Sequence, residues 1–214
     1  IAIETLKSKT FFRDRIYGKV LPELMAVEAW KADTNELIYV SLRYEPVKKK
    51  WNSQPSAYSA YKKFIGKHLR LSQDKGSGLV TVRVEHESPH IAKKWVQILV
   101  EEVNASLREK AIAEADNSIV YLQQQLKNNT LVNVNQTLSL LIEEQFRTIM
   151  LAQATDEYVF RVIDEPIVDR VPARPKRSQL VIVGSVVGFI FSILFILTKY
   201  LFSKFSLVSG RSSP

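Results

Sequence analysis

Ser88-Pro89-His90-Ile91-Ala92-Lys93-Lys94-Trp95, continuing as VQILVEEVNASLREKAIAEADNSIVYLQQQLKN to Asn128, is the stretch on which the fold turns. Ser88 suits a helix N-cap and Pro89 the first helical position, where its missing N–H costs nothing. Ile91, Trp95, Leu99, Val103, Leu107, Ala111, Ala115, Ile119, Leu122 and Leu126 then recur at spacings of three and four, which is one face of a helix. No Gly or Pro interrupts His90 to Asn128. At ~1.5 Å per residue the spacing predicts a rod of about 57 Å. A small domain has a radius of gyration of order 15 Å, so this helix must project beyond its own domain.

Polar residues follow at Asn128-Asn129-Thr130 and Asn133-Val134-Asn135, and they read as a tip. A second helix is expected over 136–154, with Leu138, Leu141, Ile142, Phe146, Ile149 and Met150 facing inward. The two make a helical hairpin. The return arm is about half as long as the first, so part of the stripe lacks an intrachain partner and points to self-association. Trp95, Leu99, Val103, Leu107, Ile119 and Leu122 are the residues assigned to hairpin packing or subunit contact.

Working back from Ser88, Val80, Val82 and Val84 alternate with Thr81, Arg83 and Glu85, the pattern of a half-buried strand. Asp74-Lys75-Gly76-Ser77-Gly78 before it is a turn, and His68 to Gln73 supplies the partner strand. Residues 57–66 read as a short helix and 31–52 as irregular, with one strand at 37–40. Residues 1–25 read as one helix, weakened by Gly18 and Pro22. Beyond the hairpin, 156–164 reads as a closing strand.

The C-terminal part has a different composition. Leu180 to Leu197, LVIVGSVVGFIFSILFIL, contains no charge and would span about 27 Å as a helix, near the hydrocarbon thickness. Pro172, Pro175, Lys176 and Arg177 precede it, and Gly184 and Gly188 lie one turn apart within it, a spacing that lets helices approach closely. These six residues are assigned to membrane assembly. The expected organisation is α+β: a membrane-proximal mixed α/β base (1–87 and 156–165) with a long protruding hairpin (88–155), a Pro-rich linker (166–178), a transmembrane helix (179–198) and a short tail (199–214).

Several chemistries find no support in the chain. It has no cysteine, which excludes disulfides and thiol chemistry. The net charge of +8 comes from dispersed basic residues, without the patterning of a nucleic-acid binder. His86-Glu87-Ser88-Pro89-His90 matches the spacing of a zinc-protease helix, but Pro89 starts the helix and separates the two histidines. Glu101/Glu102 and Glu143/Glu144 are helix neighbours that point apart. Gly76-Ser77-Gly78 lacks the residues of a phosphate loop. No cofactor, metal site or catalytic constellation is expected.

The order of features resembles the polysaccharide co-polymerase family, the Wzz-type chain-length determinants of O-antigen. Leu6-Lys7-Ser8 with Phe11-Phe12-Arg13-Asp14 is similar to that family's first periplasmic helix. Ser72-Gln73-Asp74-Lys75, Gly78-Leu79-Val80-Thr81-Val82 and Glu85-His86-Glu87-Ser88-Pro89 resemble its hairpin and helix entry. Leu141-Ile142-Glu143-Glu144-Gln145 and Met150-Leu151-Ala152 resemble its return helix. Asp156-Glu157-Tyr158-Val159-Phe160, Ile163-Asp164 and Pro166 resemble its closing strand.

The resemblance implies a non-enzymatic regulator of polysaccharide chain length in the bacterial inner membrane, with its main domain periplasmic. It implies a homo-oligomer that works with a Wzy-type polymerase and the growing polysaccharide, and a first membrane helix before Ile1. The rival readings are an adaptor of a polysaccharide export system, a partner of a separate tyrosine kinase, and a periplasmic sensor domain.

Overall fold

The computed structural model describes residues 1–167, 181–182 and 184–196. The chain divides into two units, residues 1–168 and 169–214.

The first unit opens with α1 (Ala2–Leu6) and α2 (Lys9–Phe11), which runs through a π-helical turn, Phe12–Ile16, into α3 (Tyr17–Met25). The single helix expected over 1–25 is therefore broken. Ser8 adopts extended backbone and its hydroxyl accepts from the Phe11 N–H, so it ends one helix and caps the next. Leu6, Phe12, Ile16, Val20 and Leu24 remain on one buried face across the break.

Two small hairpins follow. β1 (Val27–Lys31) pairs antiparallel with β2 (Glu36–Tyr39), and β3 (Tyr44–Glu45) with β4 (Lys50–Trp51). The stretch expected to be irregular, 31–52, thus has its strand at 36–39 and gains β3 and β4, while β1 forms at its leading edge. Asn35 takes a left-handed backbone at the first turn, and its Oδ1 accepts from the Trp30 indole at 2.9 Å. The rings of Tyr39, Tyr44 and Trp51 stack in sequence, with centroids 5.6 and 4.8 Å apart.

α4 (Ala57–Lys63) is capped by Ser56 and ends in a second π-helical turn, Phe64–His68. β5 (Leu69–Gln73) and β6 (Val80–Val84) form the third hairpin, in register Leu69↔Val84 and Leu71↔Val82. α5 (Pro89–Asn128) is the long helix and α6 (Val132–Ala154) returns along it. α6 begins at Val132, four residues before its expected start. Asn135 explains the early entry: its side-chain N–H donates to the Asn129 carbonyl and closes the tip.

The core of this unit lies at the foot of α5. Phe12, Phe64 and Trp95 form its centre, with ring centroids 5.1 and 5.6 Å apart. Ile16, Val20, Leu24, Leu99 and Val103 surround them. Three helical segments and one hairpin bury apolar side chains against a single stretch of α5, so the base cannot form without the first turns of that helix.

Two expectations are corrected. The closing strand at 156–164 does not form; the segment is irregular. The α+β fold with a C-terminal transmembrane helix is also overturned: among the described residues no helix is long and apolar enough to cross a membrane. In the second unit, 181–182 and 184–196 are helical. Pro172, Pro175, Lys176, Arg177 and the expected tail lie outside the described residues.

Candidate functional site: the long helix and its seat

Trp95 is fully buried, and the base is built around it. Its indole N–H donates to Glu23 Oε2 at 2.7 Å, and Lys94 Nζ donates to Glu23 Oε1 at 2.7 Å. One carboxylate from α3 therefore holds two consecutive residues of α5. A buried indole N–H without an acceptor costs about 1–3 kcal/mol, so this contact decides how α5 seats.

Two histidines flank the indole. The His86 ring meets Trp95 edge-on at 4.8 Å and His68 does so at 5.5 Å. The Ser88 N–H donates to His86 Nδ1 at 3.0 Å, so Nδ1 is bare and Nε2 bears the proton that reaches the Glu23 carbonyl at 3.1 Å. His68 takes the opposite tautomer, donating from Nδ1 to the Glu85 carbonyl at 2.6 Å. Its Nε2 is buried without a partner among the described residues. Burial pushes the His68 pKa down, outweighing the carbonyl's pull the other way. The neutral imidazole is thus the folded form. His86 sits between β6 and α5 with both nitrogens engaged, while His90 is exposed on the first turn of α5. Among the described residues no group of side chains could hold a metal ion.

Further up α5, Glu102 lies between Arg15 and Lys19, and Arg15 also reaches Glu109. The hydrogen bond that Arg15 donates to Glu109 pushes the guanidinium pKa further up. These pairs sit near solvent, so each is worth no more than about 1 kcal/mol, and they orient the helix rather than hold it.

Asn104, which in sequence is notable only as the start of a chance Asn-Ala-Ser sequon, explains the missing strand. It is 4% exposed. Its Oδ1 accepts from the Val159 and Phe160 N–H groups at 3.0 and 2.8 Å, and its Nδ2 donates to the Phe160 carbonyl at 2.9 Å. A helix side chain thereby satisfies the backbone groups that a neighbouring strand would otherwise take. The available signal was a lone amide beside Val103 on an otherwise apolar stripe.

The stripe itself divides in two. Trp95, Leu99 and Val103 belong to the base core of this chain, and Leu107 packs at its margin. Ile119 is buried higher up, where α6 is the partner of α5, and Leu122 is half-buried there. On α6, Leu138, Ile142 and Ile149 turn inward. Leu141, Phe146 and Met150, expected inside, are 47%, 48% and 61% exposed. The expected apolar face is wider than one partner helix can cover. Leu140 and Leu151 on α6, with Val120 and Tyr121 on α5, add to the uncovered apolar surface.

In the second unit, Gly184 and Gly188 lie within the helical stretch 184–196, and a Cβ at either position would meet open space.

No protein-family model matches this chain, and no curated protein is significantly similar to it. The likeness to the chain-length determinants therefore rests on the residues quoted for it.

Proposed function

We propose that the chain is a non-catalytic scaffold that regulates the length of a bacterial surface polysaccharide such as O-antigen. It acts as a homo-oligomer beside a Wzy-type polymerase, with this domain on the periplasmic side of the inner membrane. The observation that carries the reading is the set of large apolar side chains that α6 leaves uncovered: Leu140, Leu141, Phe146, Met150 and Leu151. Large apolar side chains that one partner helix leaves exposed fit burial against neighbouring copies. The 40-residue helix supports the same reading, because a rod seated in a small base can brace a neighbour along its length.

The decisive experiment pairs the solution mass of the full chain with glycan length distributions from cells. The expected result is a large homo-oligomer and a modal glycan length that is lost when the chain is removed. Leu141→Asp with Met150→Asp should dissociate the oligomer and broaden the glycan distribution without unfolding the base, since both side chains are exposed. A monomeric chain whose removal leaves glycan lengths unchanged sinks the reading.

A further inference from the structure

The N-terminus of α5 opens on a cleft of about 430 Å³ between that helix and the β1–β2 hairpin. Its size falls within the range of small-ligand clefts, about 300–1,000 Å³. Glu36, Ile38 and Tyr39 line it from β2, and Ser88, His90 and Ile91 from α5.

Three donors at this end of the helix are unused. The His90 and Ile91 N–H groups have no acceptor among the described residues; the backbone bond of the first turn runs from Ala92 N–H to the Ser88 carbonyl. Ser88 holds the N-cap position, yet its side chain makes no capping bond. Ser88 is 1% exposed, and its hydroxyl has no hydrogen-bond partner among the described residues. A cap serine whose hydroxyl leaves the helix amides free, on the wall of a cleft, leaves the site short of one acceptor.

The charge of that acceptor follows from Glu36. Its carboxylate lines the same cleft and takes the Thr34 hydroxyl at 3.2 Å. A second anion beside it would be repelled, while the helix N-terminus favours an electron-rich oxygen. A neutral carbonyl satisfies both, and a neighbouring hydroxyl can donate to Glu36. Ile38 and Ile91 supply apolar surface for a methyl group. We propose that this cleft binds an N-acetylated sugar, its amide carbonyl received by the His90 and Ile91 N–H groups and the Ser88 hydroxyl, and a ring hydroxyl donating to Glu36. The choice of a sugar over another acetamide rests on the scaffold reading; the choice of an uncharged amide rests on the cleft alone.

The test is titration of the isotopically labelled full chain with N-acetylglucosamine, read by amide NMR shifts. Saturable shifts centred on His90 and Ile91 are expected at millimolar sugar. Glucose, which lacks the carbonyl, should bind about fivefold more weakly or less, and Ser88→Ala should cost a similar factor. If Ser88→Ala unfolds, Glu36→Gln decides. It should admit acetate, which the unaltered chain should refuse. Absence of saturation, equal binding of glucose, equal binding of N-acetylalanine amide, or preference of the unaltered chain for phosphate overturns the proposal. Glycan lengths in cells separate the two readings. No sugar binding by a chain that still controls length rejects the cleft and leaves the scaffold. Sugar binding by a chain whose removal leaves glycan lengths unchanged supports the cleft and rejects the scaffold.

Discussion

Glu23 on α3 and Trp95 on α5 are joined by a 2.7 Å hydrogen bond across 72 residues of chain, at the centre of the base. The same carboxylate takes Lys94, so the first helices of the chain set the position of the long one.

Replacing Glu23 tests that relationship. Glu23→Ala leaves the Trp95 N–H buried without an acceptor and should lower unfolding free energy by about 1–3 kcal/mol. Glu23→Gln keeps an acceptor oxygen and should cost less. Denaturant titrations of the three proteins measure the difference; equal stability of Glu23→Ala and the unaltered chain contradicts the assignment.

Asn104 gives a local readout. Asn104→Ala frees two N–H groups and one carbonyl in the segment that follows α6. Stability should drop by about 1–3 kcal/mol, and hydrogen exchange at Val159 and Phe160 should accelerate. Unchanged exchange at those amides would mean that other contacts hold the segment.

His68 makes the base sensitive to acid. Its folded pKa lies below the unfolded value of about 6.5. Between those two values the unfolded chain binds more protons, so stability is full above about 6.5 and declines as pH falls toward the folded value. His86, Glu85, Glu87 and Lys63 act on the same ring: His86 and Lys63 oppose its protonation and Glu87 favours it. His68→Phe should flatten the loss of stability as pH falls below about 6.5. An identical pH profile in the variant would show that carboxylates alone account for the decline.

Two glycines should respond in opposite directions to the same substitution. Gly78 has φ of 74° in the turn before β6, so Gly78→Ala should cost about 1 kcal/mol despite open space around it. Gly18 is exposed within α3, also with open space, and Gly18→Ala should stabilise by about 0.5–1 kcal/mol. Thermal melts of the two variants check the signs.

The long helix, its start at Pro89 and the β5–β6 hairpin are all visible in the sequence, because periodicity, an N-cap serine and a glycine-containing turn are local signals. β1 was not visible. Val27-Glu28-Ala29-Trp30-Lys31 has no clean alternation, and its extended state comes from pairing with Glu36–Tyr39 around a bulge. The strand expected at 156–164 has local β character at Tyr158, Val159 and Phe160. Asn104 takes the backbone groups of Val159 and Phe160 that a strand would use, and that competition is decided only in three dimensions. The inward face of α6 was misjudged for a related reason: a helix with apolar residues over a wide arc does not say which of them its one partner will cover.

By itself, then, the sequence determined the 40-residue helix, its return arm and the hairpin before it, because these depend on residues within a few positions of one another. Tertiary structure alone decided that Glu23 captures Trp95, that Asn104 replaces a strand, and that Ser88 leaves its helix uncapped beside a cleft. Each of those outcomes depends on polar groups brought together from distant parts of the chain. Buried donors and acceptors must be matched, and which groups are buried together is known only once the chain has packed.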